Sequence, residues 1–222
     1  MTMTQVRKIG PTRRSVSGSY IFQGHSQIDF ESTLERDFLI RHEYAPNILD
    51  IIAQPCEIPF RINNKRIYKY TPDYLVYSKL GENSYHKYPK PLLVEVKPMT
   101  QLLTNWRDWS SKYKAAISFA KEQGWSFRIF NEARIHDQLY KNARFLEPFS
   151  RMHFCEQENA ELLKTIREMG CVKLNYVLNR HYCGIYKAQG IAQLWQLIAK
   201  RFVSCNMQEP LNENTIIWME DL

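Results

Sequence analysis

No stretch of this chain approaches 18 consecutive apolar residues, so no membrane-spanning helix is expected. No two cysteines form a C-x-x-C pair, and their total, five, is odd. In a chain too long to need covalent staples, that pattern reads as reduced thiols in a cytosolic protein. His153, Cys155, Cys171, His181 and Cys183 fit no common zinc-ligand spacing. The first 28 residues contain no acid and no apolar h-region, so a secretory signal is not expected there. They do contain Arg7, Lys8, Arg13 and Arg14 among Ser, Gly and Thr. Residues 1–28 therefore read as a flexible basic arm, either lying on DNA phosphates or serving as a solubilising tail.

Hydrophobic residues make up 44% of the 222, and aromatics 13%, enough for a sizeable core in one large domain or two small ones. The net charge of +7 favours an anionic partner such as nucleic acid. The excess is uneven. Residues 147–222 hold eight Lys or Arg against nine Asp or Glu, so the positive surplus belongs to the first 146 residues. A part that meets phosphate is expected there.

The most informative stretch runs from 66 to 98. Asp73 opens a strand-like run, Tyr74 to Ser78, and Glu95 and Lys97 close a second, Leu92 to Lys97. Residues i and i+2 of a strand share a face, so Glu95 and Lys97 project together, opposite Val94 and Val96. Two carboxylates on neighbouring strands with a lysine two residues on is a layout suited to a metal-dependent phosphodiesterase. Carboxylate oxygens hold a hard cation, the cation polarises phosphate and activates water, and the lysine meets growing negative charge. The competing reading is an edge strand whose solvent face carries Glu95 and Lys97 as a solvated pair.

Around this motif, Glu31 to Tyr44 is expected to be a helix, with Glu31 and Glu35 on one side and Pro46 at its end. Ser32-x-x-Glu35 fits a capping box, which competes with a role for Glu35 beside a metal. Strands are expected over Ile48–Gln54, Cys56–Asn63, Arg66–Tyr70 and Trp125–Phe130. A helix is expected from Thr104, as its cap, to Gln123, with Trp106, Trp109, Tyr113, Ile117 and Ala120 as its core stripe. Lys112 and Lys114 lie off that stripe, on a face that is either solvated or turned to phosphate. Ile135–Leu146 reads as another helix, and Glu147-Pro148-Phe149-Ser150 as a boundary. The remainder reads as helices Gln157–Met169, Val172–His181 and Ala188–Lys200, then strands Arg201–Asn206 and Thr215–Met219. Three helices and a hairpin is the winged-helix order. Its last helix is apolar and the segment near neutral, which favours a protein partner at least as much as DNA.

The runs SQIDFESTLERDFLIRHEYAPNILDIIAQP, YTPDYLV and LLVEVKP resemble the TnsA family, and NENTIIWM near the C-terminus does so more weakly. These are endonuclease subunits of heteromeric transposases of the TnsABC type, including those of CRISPR-associated transposons. The resemblance implies an α/β restriction-endonuclease-like core over 29–147, a mixed central sheet flanked by helices, followed by a winged-helix-like α+β domain over 148–222. It implies Glu35, Asp73, Glu95 and Lys97 as catalytic residues. Asp73, Glu95 and the Val96 carbonyl would hold Mg²⁺, for which Mn²⁺ would substitute. Some family members carry glutamine where this chain has Glu95. The implied activity is nicking of the 5′ strands at transposon ends, in a prokaryotic cytosol, beside a TnsB-like transposase and a TnsC-like ATPase. Arg7, Lys8, Arg13, Arg14, Lys112 and Lys114 are the candidate DNA contacts. A catalytically silent adaptor and a stand-alone restriction or repair nuclease are the alternatives.

Overall fold

The computed structural model describes residues 5–6, 16–62, 66–81, 87–182 and 184–220, with only the backbone at Ile185. The chain divides into two compact units, Met1–His136 and Asp137–Leu222.

In the first unit, β1 (Gly18–Phe22) and β2 (Ser26–Phe30) form an antiparallel hairpin. Gln23 and Gly24 both take positive φ, 52° and 79°, which turns the chain tightly between the two strands. Phe22, Ile28 and Phe30 are buried, and the hairpin packs on α1 (Thr33–Glu43). Residues 18–28, expected within a flexible arm, are therefore folded: alternating apolar side chains give the hairpin a face to bury. Arg7, Lys8, Arg13 and Arg14 lie outside the described residues.

The central sheet has four strands in the order β3 (Ile48–Ala53), β6 (Tyr74–Ser78), β7 (Leu92–Val96), β8 (Ser126–Phe130). The first two pairings are antiparallel and β7–β8 is parallel, so the sheet is mixed. A parallel pair needs a crossover, and α2 (Met99–Glu122) supplies it. On one face Phe38 of α1 stacks on Tyr74 and meets Phe130 edge-on. On the other, Tyr113, Ala116 and Ala120 of α2 pack on Leu75 and Leu93, joined by the ribbon β4 (Ile58–Ile62) and β5 (Arg66–Tyr70). Strand β7 is thus interior, with Val94, Glu95 and Val96 all buried, which removes the solvated edge-strand reading. A short helix, α3 (Glu132–Ile135), follows β8.

Helix α2 starts six residues earlier than expected, directly after Pro98. Thr104 is inside it, where its hydroxyl donates to the Thr100 carbonyl instead of capping. The longer helix is rotated relative to the expected stripe: Trp106 and Ile117 are 52% and 54% exposed, and Leu102, Tyr113, Ala116 and Ala120 are the buried set.

The second unit comprises α4 (Gln138–Ser150), α5 (Glu156–Met169), β9 (Val172–Lys173), α6 (Leu174–His181), a 3-10 turn (Gly184–Tyr186), α7 (Lys187–Ala199), β10 (Ser204–Cys205) and β11 (Ile216–Trp218). The strands pair in the order β10-β11-β9, all antiparallel, and α5 to β11 follow winged-helix order. Glu147-Pro148-Phe149-Ser150 is the last turn of α4, not a linker. Val172 and Lys173 form a strand instead of opening the helix, because they pair with Ile217 and Ile216. Apolar α7 is the unit's core: Leu194, Trp195, Leu197 and Ile198 are buried. Its hydrophobicity is spent on folding, so it does not argue for a docking face. Gly190 lets Tyr182 lie flat on α7, since a Cβ there would come within 2.4 Å of the ring.

Candidate active site

Three local features bring the charged residues together. Asp73 immediately precedes β6, and its Oδ2 accepts the Val96 N–H at 2.7 Å, tying the start of β6 to the end of β7. Lys97 leaves β7 with its own N–H on the Phe130 carbonyl at 2.9 Å, which carries the β7–β8 pairing one residue further. Glu95 and Lys97 share the α2 face with Leu93, as strand alternation requires.

The Lys97 ammonium lies 3.4 Å from Asp73 Oδ2 and 3.5 Å from Glu95 Oε1, and donates to the Val96 carbonyl at 3.0 Å. Glu95 is 1% exposed. Its Oε2 accepts the Tyr70 hydroxyl at 2.7 Å, and its Oε1 also meets the Lys112 ammonium at 3.2 Å. Sequence reasoning missed Tyr70 and Tyr113 here. It placed Lys112 on a solvated or phosphate-facing surface; in the fold that side chain is only 17% exposed and paired with Glu95. A lysine beside a core tyrosine gives no signal of what it faces until the rotation of α2 is known. Lys114 is exposed.

Glu35 is buried in α1 and its carboxylate completes a helix cap. Oε1 accepts the Ser32 hydroxyl at 2.9 Å and Oε2 the Glu31 N–H at 2.8 Å, while Ser32 Oγ accepts the Glu35 N–H. The capping-box reading of Ser32-x-x-Glu35 is present in the fold, and the Lys97 charge also acts on the Glu35 carboxylate. Glu31 lies just outside the helix.

Burial and the neighbouring Glu95 and Glu35 charges push the Asp73 carboxyl well above the usual range, with Lys97 and the Val96 N–H opposing. Burial likewise raises Glu35. Burial alone would lower Lys97; Asp73, Glu95 and Glu35 outweigh it and raise it. Burial, then Glu95, raise the hydroxyls of Tyr70 and Tyr113. This is an excess of buried negative charge that a cation would relieve.

The donor chemistry fits a hard cation. Both donors reaching Asp73 fall on Oδ2, and among the described residues Oδ1 accepts none. With Glu95 and the Val96 carbonyl it offers three oxygen donors, the rest of the shell being open to water and phosphate. Among the described residues no three His, Cys, Asp or Glu side chains converge as a metal site by themselves. Cys155 and Cys171 are exposed thiols and the His181 ring meets Thr165, while Cys183 is outside the described residues.

Family models match in tandem: TnsA-like endonuclease N terminal over residues 45–132, and TnsA endonuclease C terminal over 134–207. The chain belongs to the TnsA endonuclease family. Its first unit is a restriction-endonuclease-like core, and its reaction class is that of a DNA endonuclease of Tn7-type transposition. The junction of the two matches falls close to the division after His136. No curated protein matches the chain. Among the described residues no helix is long and apolar enough to cross a membrane.

Proposed function

We propose that the chain nicks the 5′ strands at transposon ends with Mg²⁺, beside a TnsB-like transposase that cuts and joins the 3′ strands and a TnsC-like ATPase. The observation that carries this is the Lys97 ammonium set between Asp73 and Glu95 at adjoining strand ends. Asp73 Oδ1, Glu95 and the Val96 carbonyl would hold the ion. Bound there, a divalent cation polarises the scissile phosphate and activates a water. The chain's own groups do the rest. The Val96 N–H keeps Asp73 turned toward Glu95, and Tyr70 keeps Glu95 from rotating. Lys97 is held charged by its carboxylate neighbours, so it meets the negative charge that grows on the phosphate without taking up or losing a proton. Glu35 holds the start of α1 and adds field at Lys97.

Arg7, Lys8, Arg13, Arg14 and exposed Lys114 would contact DNA phosphates, in keeping with the basic surplus of the first 146 residues. The second unit, near neutral, would meet a protein partner. The test is nicking of transposon-end DNA in Mg²⁺, with and without the transposase subunit. Strand-specific nicking only in the complete assembly is expected. Cutting of naked duplex by the chain alone would move it to the stand-alone nucleases. Joined 3′ ends with intact 5′ strands in the wild-type assembly would make it an adaptor.

A further inference from the structure

The ribbon of β4 and β5 stands apart from the central sheet, its two strands pairing only with each other. At one end Ile58 and Tyr70 lie opposite one another and are buried in the core with Tyr113 and Ala116 of α2. Towards the other end the cover is lost. Arg61, Ile62, Arg66, Ile67 and Tyr68 are all exposed, Ile67 by 59%. Two strands alone are marginally stable in water, so a ribbon that leaves large apolar side chains uncovered is suited to a partner.

The charge on the ribbon selects that partner. Residues 58–72 contain Arg61, Lys65, Arg66 and Lys69 and no acid. Lys69 is tied at 2.6 Å to Glu57, just before β4. Arg61 and Arg66 make no ion pair among the described residues, and the Arg66 guanidinium lies 5.5 Å from the Tyr68 ring centroid. Edge strands also carry charge simply to discourage pairing with another chain. Charge of either sign serves that end, and it would not leave Ile62, Ile67 and Tyr68 uncovered among the cations. Cations interleaved with apolar and aromatic side chains complement a nucleic-acid duplex, whose phosphates flank sugar and base edges.

Register and connectivity say how the ribbon would meet it. Arg61 pairs with Ile67 and Arg66 with Ile62, so strand alternation puts the two arginines on opposite faces. A groove receiving the ribbon would meet one guanidinium at each phosphate wall. A sheet with its side chains is about 10 Å thick, which the roughly 12 Å major groove admits and the roughly 6 Å minor groove does not. The buried end is fastened to the active site: the Tyr70 hydroxyl donates to Glu95 Oε2 at 2.7 Å, and Asp73 follows shortly after in the chain. Arg66 and Tyr70 bound one strand, about 14 Å of extended chain, which spans about four base pairs.

We propose that the β4–β5 ribbon is a DNA-binding arm that enters the major groove within a few base pairs of the scissile phosphate, with Arg61 and Arg66 on phosphates of its two walls. The proposal rests on the DNA endonuclease reading and adds to it the surface that holds the duplex against the carboxylates.

The experiment has two arms. In the first, the full chain binds a fluorescent duplex without divalent ions across a salt series, as wild type, Arg61→Ala/Arg66→Ala and Arg61→Lys/Arg66→Lys, with circular dichroism to confirm folding. The alanine variant should bind roughly tenfold or more weakly at low salt, with a log–log salt slope shallower by about two, and the lysine variant should recover most of both. In the second, a photoreactive benzoylphenylalanine replaces Ile67 in a chain that keeps both arginines, in the assembly with the transposase subunit. Its cross-link should fall on DNA within a few base pairs of the cut, and this arm decides the matter if the alanine variant does not fold. A folded alanine variant with wild-type affinity and slope, a wild type that binds no duplex at low salt, or a cross-link to the transposase with none to DNA would overturn the proposal. Those results beside normal nicking by the wild-type assembly would remove this inference alone. Ribbon-dependent binding in an assembly that never nicks would remove the nuclease reading and leave the arm.

Discussion

The two units bury polar groups of different kinds. The first unit buries charge-bearing side chains, Glu35, Asp37 and Glu95, each 9% exposed or less, beside neutral Gln54 and Asn131. In the C-terminal unit the buried polar side chains among the described residues are uncharged: Asn142, Thr165, Gln193 and Gln196. Those neutral groups hold the fold. Asn142 Nδ2 donates to the Met207 and Glu209 carbonyls, fixing the loop after β10. Gln193 Oε1 accepts the Tyr182 hydroxyl and its Nε2 donates to Asn159, joining α7 to α5. The Asp73 carboxyl, by contrast, is pushed up by burial and by the Glu95 and Glu35 charges beside it. Neutral buried groups are satisfied by partners inside the fold, while buried charges that oppose one another cost stability.

The sharpest way to break that comparison is Lys97→Ala. Truncation removes no large apolar volume, so the loss of thermal stability should be modest. Nicking should nonetheless fall by roughly a hundredfold or more, as for loss of one preorganised electrostatic donor. Lys97→Arg should restore it incompletely, because a planar fork does not replace a compact ammonium. In the assembled transposase, joining of the 3′ ends without 5′ cleavage should shift products from simple insertions to cointegrates, resolvable on a gel. A folded Lys97→Ala protein that cuts near the wild-type rate would place the chemistry elsewhere.

Asp73→Asn should reduce Mn²⁺ affinity by roughly tenfold or more, measured by calorimetry, since a charged oxygen ligand is lost. Its effect on the metal-free fold should have the opposite sign. The Asp73 carboxyl is raised in the fold, so its stabilising contribution is complete below the unfolded value of about 4 and is lost as pH rises through the raised value. Asparagine cannot ionise and escapes that loss. Without metal the variant should melt above the wild type, by a margin that widens with pH, and Mg²⁺ should narrow the margin by stabilising only the wild type. A margin independent of pH would show that the Asp73 charge is not the strained one.

In the C-terminal unit the same logic predicts stability without chemistry. Gln193→Leu would leave the Tyr182 hydroxyl and Asn159 unpaired, costing about 1–3 kcal/mol. Nicking by the assembly, at a temperature where the variant is folded, should be unchanged. A fall in rate larger than the fall in folded protein would give the neutral network a part in the reaction.

What could be read from sequence follows the range of the forces involved. Alternation in Leu92–Val96 and the Asp73 to Glu95-x-Lys97 pattern are local, and they located the central strands and the charged cluster. The β1–β2 hairpin escaped because the basic residues before it dominate the composition, while the buried set Phe22, Ile28 and Phe30 is small. Strand β9 is two residues long and is formed by Ile216 and Ile217, distant in sequence, so no local period marks it. Lys112 escaped for a related reason. Its destination depends on how α2 is rotated over the sheet, which turns residue 112 toward Glu95 and Trp106 toward solvent.

Glu35→Gln should have the smallest effect, and it tests the one buried carboxylate that belongs to both categories. Both Glu35 oxygens are taken up by the start of α1, on the Ser32 hydroxyl and the Glu31 N–H, so its contacts are those of a cap. Its influence on Lys97 and Asp73 is through space. Glutamine can keep one accepting oxygen in the cap, so stability should change by only a few tenths to about 1 kcal/mol. Burial raises the Glu35 carboxyl, so the neutral amide also removes a charge the fold disfavours, which offsets part of that loss. With Lys97 still charged by Asp73 and Glu95, nicking should fall only severalfold, far less than for Lys97→Ala. Ser32→Ala separates the two roles: it breaks the cap at a cost of about 1 kcal/mol and leaves the carboxylate charge in place. If Glu35→Gln abolished nicking while Ser32→Ala did not, the carboxylate would have to leave the cap during the reaction, and Glu35 would join Asp73 and Glu95 as a ligand.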